Sequence, residues 1–375
     1  MITRRARLWI SRGVAAALLG GLVVLVGSTW WYAGRIRAEL VGGTPSGGPA
    51  DEVVVAVDRD SVTLPRDAAT IRPGIWGLEF AGGHAELGEV LALGDDVVTR
   101  RIDRITGSLA VGMPVAFDRM VFAGDPATRR VTFADVIVPG PLGDYSAWLG
   151  EGDGDTWLIF VHDRGADRRE SLRVLPTAAL LGLPTLVITY RGDVGAPPGG
   201  GGIGVGSAEW PDLQDAVDFA ITGGAAQVVL MGSGVGGSII ELFMRESRLA
   251  DRVAGIVLDS PLLDAGERVR RRAAADKVPG FILRLSQEVA ALRFGVEWSD
   301  LDHVSHVGEI AVPTLIIHGD QDTLYPVEVS RQYAAAAPTM VDLVIVAGAG
   351  HGEAWNLDPV RYEHEVAGFL EAVAP

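Results

Sequence analysis

Cysteine is absent from the 375 residues, and lysine occurs once, at Lys277, beside 31 arginines. Without thiols there is no disulfide framework, no Cys-ligated zinc, no iron–sulfur cluster and no thiolate nucleophile. Positive charge is also scarce, with 48 acidic side chains against 32 basic ones and a net charge of −16, a balance that argues against nucleic acid as a partner. What is plentiful is apolar surface, 48% of the residues, in a chain long enough for one large or two ordinary domains with a real core. A disordered or peptide-sized product is thereby excluded.

Between Arg12 and Arg35 the sequence runs GVAAALLGGLVVLVGSTWWYAG, 22 residues with no charge. At about 1.5 Å per residue such a helix crosses a hydrocarbon core about 30 Å thick. Arg4, Arg5, Arg7 and Arg12 precede the run, whereas only Arg35 and Arg37 follow it closely, and Trp30, Trp31 and Tyr32 sit where an interfacial aromatic belt belongs. The expectation is a cytoplasmic basic tail at 1–12, an uncleaved transmembrane anchor at 13–34 in contact with the lipid bilayer, and a main domain outside the cytoplasm. A cleaved signal peptide is the competing reading, but no clean A-x-A site follows the run. Residues 1–40 hold six arginines and one glutamate, which leaves a net −21 on residues 41–375.

Residues 41–50 (VGGTPSGGPA) have linker composition. From there to about 150, short β-type runs such as SVTLP (61–65), GIWGLEF (74–80) and PVAFDRMVF (114–122) recur between Gly, Pro and Asp, and predict a β-rich N-terminal subdomain over 41–150. After 151 the rhythm becomes strand, loop, helix. WLIFVH (157–162), PTLVITY (184–190), QVVLMG (227–232), VAGIVLD (253–259), PTLIIHG (313–319) and VDLVIVAG (341–348) are continuous apolar runs, the pattern of parallel strands covered on both faces.

Ligands of such sheets sit beyond the carboxyl ends of the strands. After QVVLM comes Gly232-Ser233-Gly234-Val235-Gly236-Gly237. Two motifs compete for it: a dinucleotide G-x-G-x-x-G at Gly232, Gly234 and Gly237 with Asp259 ending the next strand, and a nucleophile elbow, in which a strand turns sharply into a helix. Both need glycine for the same steric reason. The later strands favour the elbow, because an acid (Asp322) follows one and a histidine (His351) follows the last, giving the order nucleophile, acid, base.

With HDRGA (162–166), YRGDVGAP (190–197), GSGVGG (232–237), LDSPLLD (258–264), HGDQDTLYP (318–326) and HGEAWN (351–356), the segment 151–375 resembles an α/β-hydrolase, and the whole is similar to membrane-anchored bacterial members with a β-rich segment after the anchor. The resemblance implies a mostly parallel sheet covered by helices, with Asp322 orienting His351 as general base, Val235 and position 163 supplying the oxyanion N–H groups, and no cofactor or metal. It also exposes two departures. Gly234 stands at the nucleophile position, and Asp163 stands where the family has glycine. Moving the frame by one offers Ser233 as nucleophile but puts Met231 and Val235 where the turn needs small residues; Ser260 and an activated water are further candidates for the attacking group. His303 and His306, an i, i+3 pair beside carboxylates, are a weaker metal motif.

The implied function is a membrane-anchored, ester-hydrolase-type protein with a degenerate nucleophile and little or no serine-hydrolase activity, acting on a small ester or lipid-like ligand. The competing reading is an inactive pseudohydrolase that binds a ligand or partner. A dinucleotide-dependent oxidoreductase rests on the glycines alone.

Overall fold

The computed structural model describes residues 4–42, 50–199, 202 and 204–374. Most of the linker read at 41–50, the start of the basic tail and three positions of the glycine tract at 195–206 lie outside these. Helix α1 (Arg4–Val41) is unbroken over 38 residues, and its portion Ala15–Val41 is long and apolar enough to cross a membrane. The large apolar side chains from Leu18 to Val26 are mostly exposed. Thr29, Tyr32, Ala33, Ile36 and Leu40, which share one helical face, are buried. The last turns of α1 therefore belong to the main hydrophobic core.

Seven strands follow: β1 (Glu52–Val53), β2 (Ala56–Val57), β3 (Ser61–Pro65), β4 (Trp76–Phe80), β5 (Gly83–Leu93), β6 (Val97–Thr106) and β7 (Pro114–Asp118). They form one antiparallel sheet in the order β1-β7-β4-β5-β6-β3-β2, with its own core of Val62, Leu64, Leu78, Leu87 and Val98. Arg100 on β6 is fully buried, and its guanidinium donates to the carbonyls of Thr70, Arg72, Gly74 and Gly88. Burial without a carboxylate lowers its pKa to about 10. The loop between β3 and β4 is thus folded around a cation.

The second sheet contains β8 (Phe133–Gly140), β9 (Gly143–Gly150), β10 (Thr156–Val161), β11 (Thr185–Ile188), β12 (Gln227–Ser233), β13 (Val253–Asp259), β14 (Thr314–Gly319) and β15 (Val341–Val346), in the order β15-β14-β13-β12-β10-β11-β9-β8. The strands β10 to β15 are parallel, and β9 pairs antiparallel with β11. Residues 133–150, assigned to the β-rich segment by their strand rhythm, thus extend the second sheet instead, and the two sheets part between Asp118 and Phe133. A hairpin alternates in the same way whichever sheet it joins, so its rhythm carries no sign of its partner.

One face of this sheet is covered by α2 (Leu175–Leu180), α9 (Ala354–Leu357) and α10 (Pro359–Val373). The other is covered by α3 (Trp210–Thr222), α4 (Val235–Glu246), α5 (Ala265–Ala275), α6 (Gly280–Phe294), α8 (Val327–Ala336) and the end of α1, with the short α7 (His303–His306) between α6 and α8. The strand order turns about β10, which lies between β12 and β11, and the crevice beyond its carboxyl end is where a sheet of this kind holds a site.

Because Leu40 is fully buried against the domain, Leu40→Ala should cost about 2–5 kcal/mol, the usual range for a buried leucine. Denaturant unfolding in detergent micelles checks this; a loss of less than about 0.5 kcal/mol, as expected for a surface position, would show that α1 does not pack on the domain.

Candidate functional site

Strand β12 ends in Ser233, and Gly234 turns the chain into α4 with φ +50° and ψ −114°, a conformation strained for any residue with a side chain. Two residues on, a Cβ at Gly236 would lie 2.2 Å from the Val161 carbonyl oxygen, so glycine there lets α4 leave β12 hard against β10. The tip at 234 is where a nucleophile would project. The space beside it is filled, since a Cβ on Gly234 would come within 2.0 Å of Asp163 Oδ1.

Asp163 follows β10 and is 1% exposed. Its Oδ1 accepts the Val235 amide at the start of α4, at 2.7 Å, and its Oδ2 meets His351 Nε2 at 2.9 Å. The Asp163 amide in turn donates to Glu170 Oε2 at 2.8 Å. Both N–H groups expected to cradle an oxyanion are therefore already bound to carboxylates.

His351 lies in the loop after β15. Its Nδ1 meets Asp322 Oδ2 at 2.9 Å, and Asp322 Oδ1 accepts the Leu324 and Tyr325 amides at 2.8 Å, which fixes the carboxylate in its turn. The Tyr325 ring stands edge-on to the imidazole, 4.7 Å between centroids. With carboxylates on both nitrogens, His351 is an imidazolium. Burial opposes that charge, but the hydrogen bonds and charges of Asp163 and Asp322 outweigh it and push the pKa up to about 9. Burial likewise opposes ionisation of Asp163 and Asp322, yet both stay below their ordinary value, Asp163 chiefly through His351 and Asp322 through His318 and His351.

Beneath this row lies a second set of charges that sequence reasoning missed. Arg173 donates to Ser233 Oγ and the Gly352 carbonyl and pairs with Asp259 at 2.9 Å. Arg119, just past β7 of the first sheet, pairs with Glu170 and comes within 4.0 Å of Asp163. The same sheet holds the histidine loop from outside: Arg72 forks onto Glu353, Ile75 exchanges hydrogen bonds with Asn356, and Asn356 also donates to the Arg119 carbonyl. These partners lie up to 281 residues apart in the chain and carry no local motif.

A family model described as a domain of unknown function, DUF8805, matches residues 53–118, the first sheet. No curated protein matches the chain. Among solved structures, the Pyrococcus furiosus esterase Pf2001 in one crystal form is 18% identical with a TM-score of 0.53, covering 68% of this chain and 98% of that one. In another crystal form the values are 17%, 0.54, 68% and 95%. DcsB, solved with a substrate analogue, is 14% identical at a TM-score of 0.50, over 64% of this chain and all of that one. The chain has the α/β-hydrolase fold.

In hydrolase terms, the structure brings together Gly234, Val235, Asp163, His351 and Asp322. The Ser233 hydroxyl accepts a hydrogen bond from Arg173, while His351 is held by Asp163 and Asp322. Ser260 donates to Asp259 and accepts the Gly352 amide. Asp259, the acid of the dinucleotide reading, is buried between Arg173 and Tyr362, and the amide at the start of α4 that a pyrophosphate would use holds Asp163. His303 and His306 diverge. The first bonds Ser238 in the core, where burial drives its pKa down to about 3, and the second meets Glu309 at the surface.

The ion pairs set a pH window. The folded pKa of His351, about 9, exceeds the ordinary 6.5, so its contribution to stability is complete below pH 6.5 and is lost as pH rises through 9. For Asp163 and Asp322 the folded values lie below the ordinary 3.8, so their contribution holds above that pH and is lost on acidification. In Asp163→Asn the imidazolium keeps one carboxylate instead of two, and the alkaline loss should begin at lower pH. Urea midpoints across the pH range, with the imidazole nitrogen shifts of His351, test this; a wild-type His351 titrating near 6.5 contradicts it.

Proposed function

We propose that the protein is a membrane-anchored α/β-hydrolase-fold protein that does not run the serine-hydrolase cycle and acts by binding. The observation that supports this most directly is the Asp163 carboxylate, seated between the Val235 amide and His351. An acyl-enzyme route needs a nucleophile at the elbow, a neutral base and free oxyanion donors. Position 234 has no side chain. With its pKa near 9, His351 is neutral in only about one molecule in a hundred at pH 7. A developing oxyanion would meet a fixed negative charge where it needs donors.

A binding role has room elsewhere. A cavity of about 1080 Å³ beyond β10 and β11 is lined by Arg164, Arg168, Arg169 and Arg191, each paired with a carboxylate, by Asp167, Asp193 and Glu209, and by the apolar Trp148 and Phe294. Polar, charge-paired groups beside an apolar wall suit a small amphiphile with a polar, ester-like head. The anchor reading rests on the length and apolarity of α1 and on the arginine excess before it, which orients the domain away from the cytoplasm.

The test is fluorophosphonate labelling and p-nitrophenyl ester turnover by the full chain in detergent. Wild type should be unlabelled and inert. Gly234→Ser alone should stay inert because its Cβ meets Asp163, whereas Asp163→Gly with Gly234→Ser should label. Its rate should remain about 10²–10³ below that of a site with both donors free, because Glu170 keeps the amide of residue 163. Wild-type ester turnover that His351→Ala abolishes would overturn the reading.

A further inference from the structure

We infer that α6 lies in the membrane interface, as a second, non-spanning lipid contact beside the anchor. The inference rests on α1 crossing the bilayer, and it comes from depth. The uncharged run extends from residue 13 to 34, and at about 1.5 Å per residue it needs nearly all of its 22 residues to cross the hydrocarbon. Yet the folded domain already packs on α1 from Thr29 onward. The six residues 29–34 span about 9 Å, the depth to which an interfacial helix is buried. Whatever packs on α1 at that level must sit among lipid headgroups.

The element at that level is α6. It begins four residues after Asp276, which lies 4.0 Å from Arg35, and near its other end Arg293 donates to the Trp30 carbonyl at 3.0 Å and stacks on the Trp30 ring. At its last residue Phe294 lies under the Arg37 guanidinium, so α6 packs along the docked turns of α1. Its inner face, Leu283, Ser286 and Ala290, is buried. Its outer face leaves Phe281, Leu285 and Leu292 exposed by 62%, 42% and 88%, with Glu288 the one acid among them.

Charge agrees with placement. Residues 264–294 carry seven basic and four acidic side chains in a body whose net charge is −21, and Lys277, Arg284 and Arg293 are exposed at the ends and along the flank of α6. An otherwise acidic domain presents cations where anionic headgroups would be. Exposed leucine and phenylalanine bordered by arginine make the composition of an interfacial helix.

The absence of cysteine allows single thiols to be placed in the full chain. Phe281→Cys, Leu285→Cys and Leu292→Cys, labelled with an environment-sensitive fluorophore, are reconstituted in vesicles of phosphatidylcholine with one-third phosphatidylglycerol. Val23→Cys reports on the anchor, and Leu180→Cys, on the opposite face of the sheet, is the aqueous control. Nitroxide-bearing lipids should quench the three α6 labels by about half or more while leaving the label at 180 untouched. Omitting phosphatidylglycerol should weaken that quenching. Quenching at 23 with none at 281, 285 and 292 overturns the inference while leaving the anchor in place. No quenching at 23 overturns the anchor and the inference with it.

Discussion

The structure turns on one buried carboxylate. Asp163 joins the end of β10, the start of α4 and the loop after β15 through three atoms, and the groups around it are arranged to keep it charged. A serine hydrolase at rest holds a neutral hydroxyl, a neutral imidazole and one carboxylate. Here an anion, an imidazolium and a carboxylate occupy the same line, so the net charge is the same and one proton is locked in place. Burial of such a set is tolerable only because every oxygen and nitrogen is paired, and removing one partner would strand the rest. An arrangement of this kind occupies the place where a hydrolase keeps its reactive centre.

The β-rich sheet takes part in that arrangement. Its β3–β4 loop, wrapped around the buried Arg100, delivers Arg72 and Ile75 to the loop that bears His351, and Arg119 enters the charge cluster from the same side. Position and charge of the histidine are thereby referred to a domain that shares no strand with the hydrolase sheet.

Much of this could be read in the sequence, for physical reasons. Buried parallel strands must be apolar throughout, so 227–232, 253–259 and 313–319 announced themselves, and a sharp strand-to-helix turn must be glycine-rich, which marked 232–237. The pairing of Asp322 with His351 follows from their places after neighbouring strands. What stayed hidden is spatial. Gly234 and Asp163 read as two separate departures, yet in the fold the Asp163 carboxylate fills the space that a side chain at 234 would enter. The ion pairs of Arg119, Glu170, Arg173 and Asp259 join residues with no periodic relation, and an arginine bound for the core looks like one bound for solvent. The docking of α1 was equally silent, since an apolar run long enough to cross a membrane and one that packs on a protein core have the same composition.

That continuity of α1 has a consequence for processing. Tyr32, Ala33, Ile36 and Leu40 are part of the core, and Arg268 grips the Glu39 carbonyl and side chain. A protease that cut the connection between Val41 and Ala50 would break one peptide bond and leave every one of these contacts standing. The severed helix would persist as a small noncovalent subunit of the domain. Shedding would require the folded core to open first.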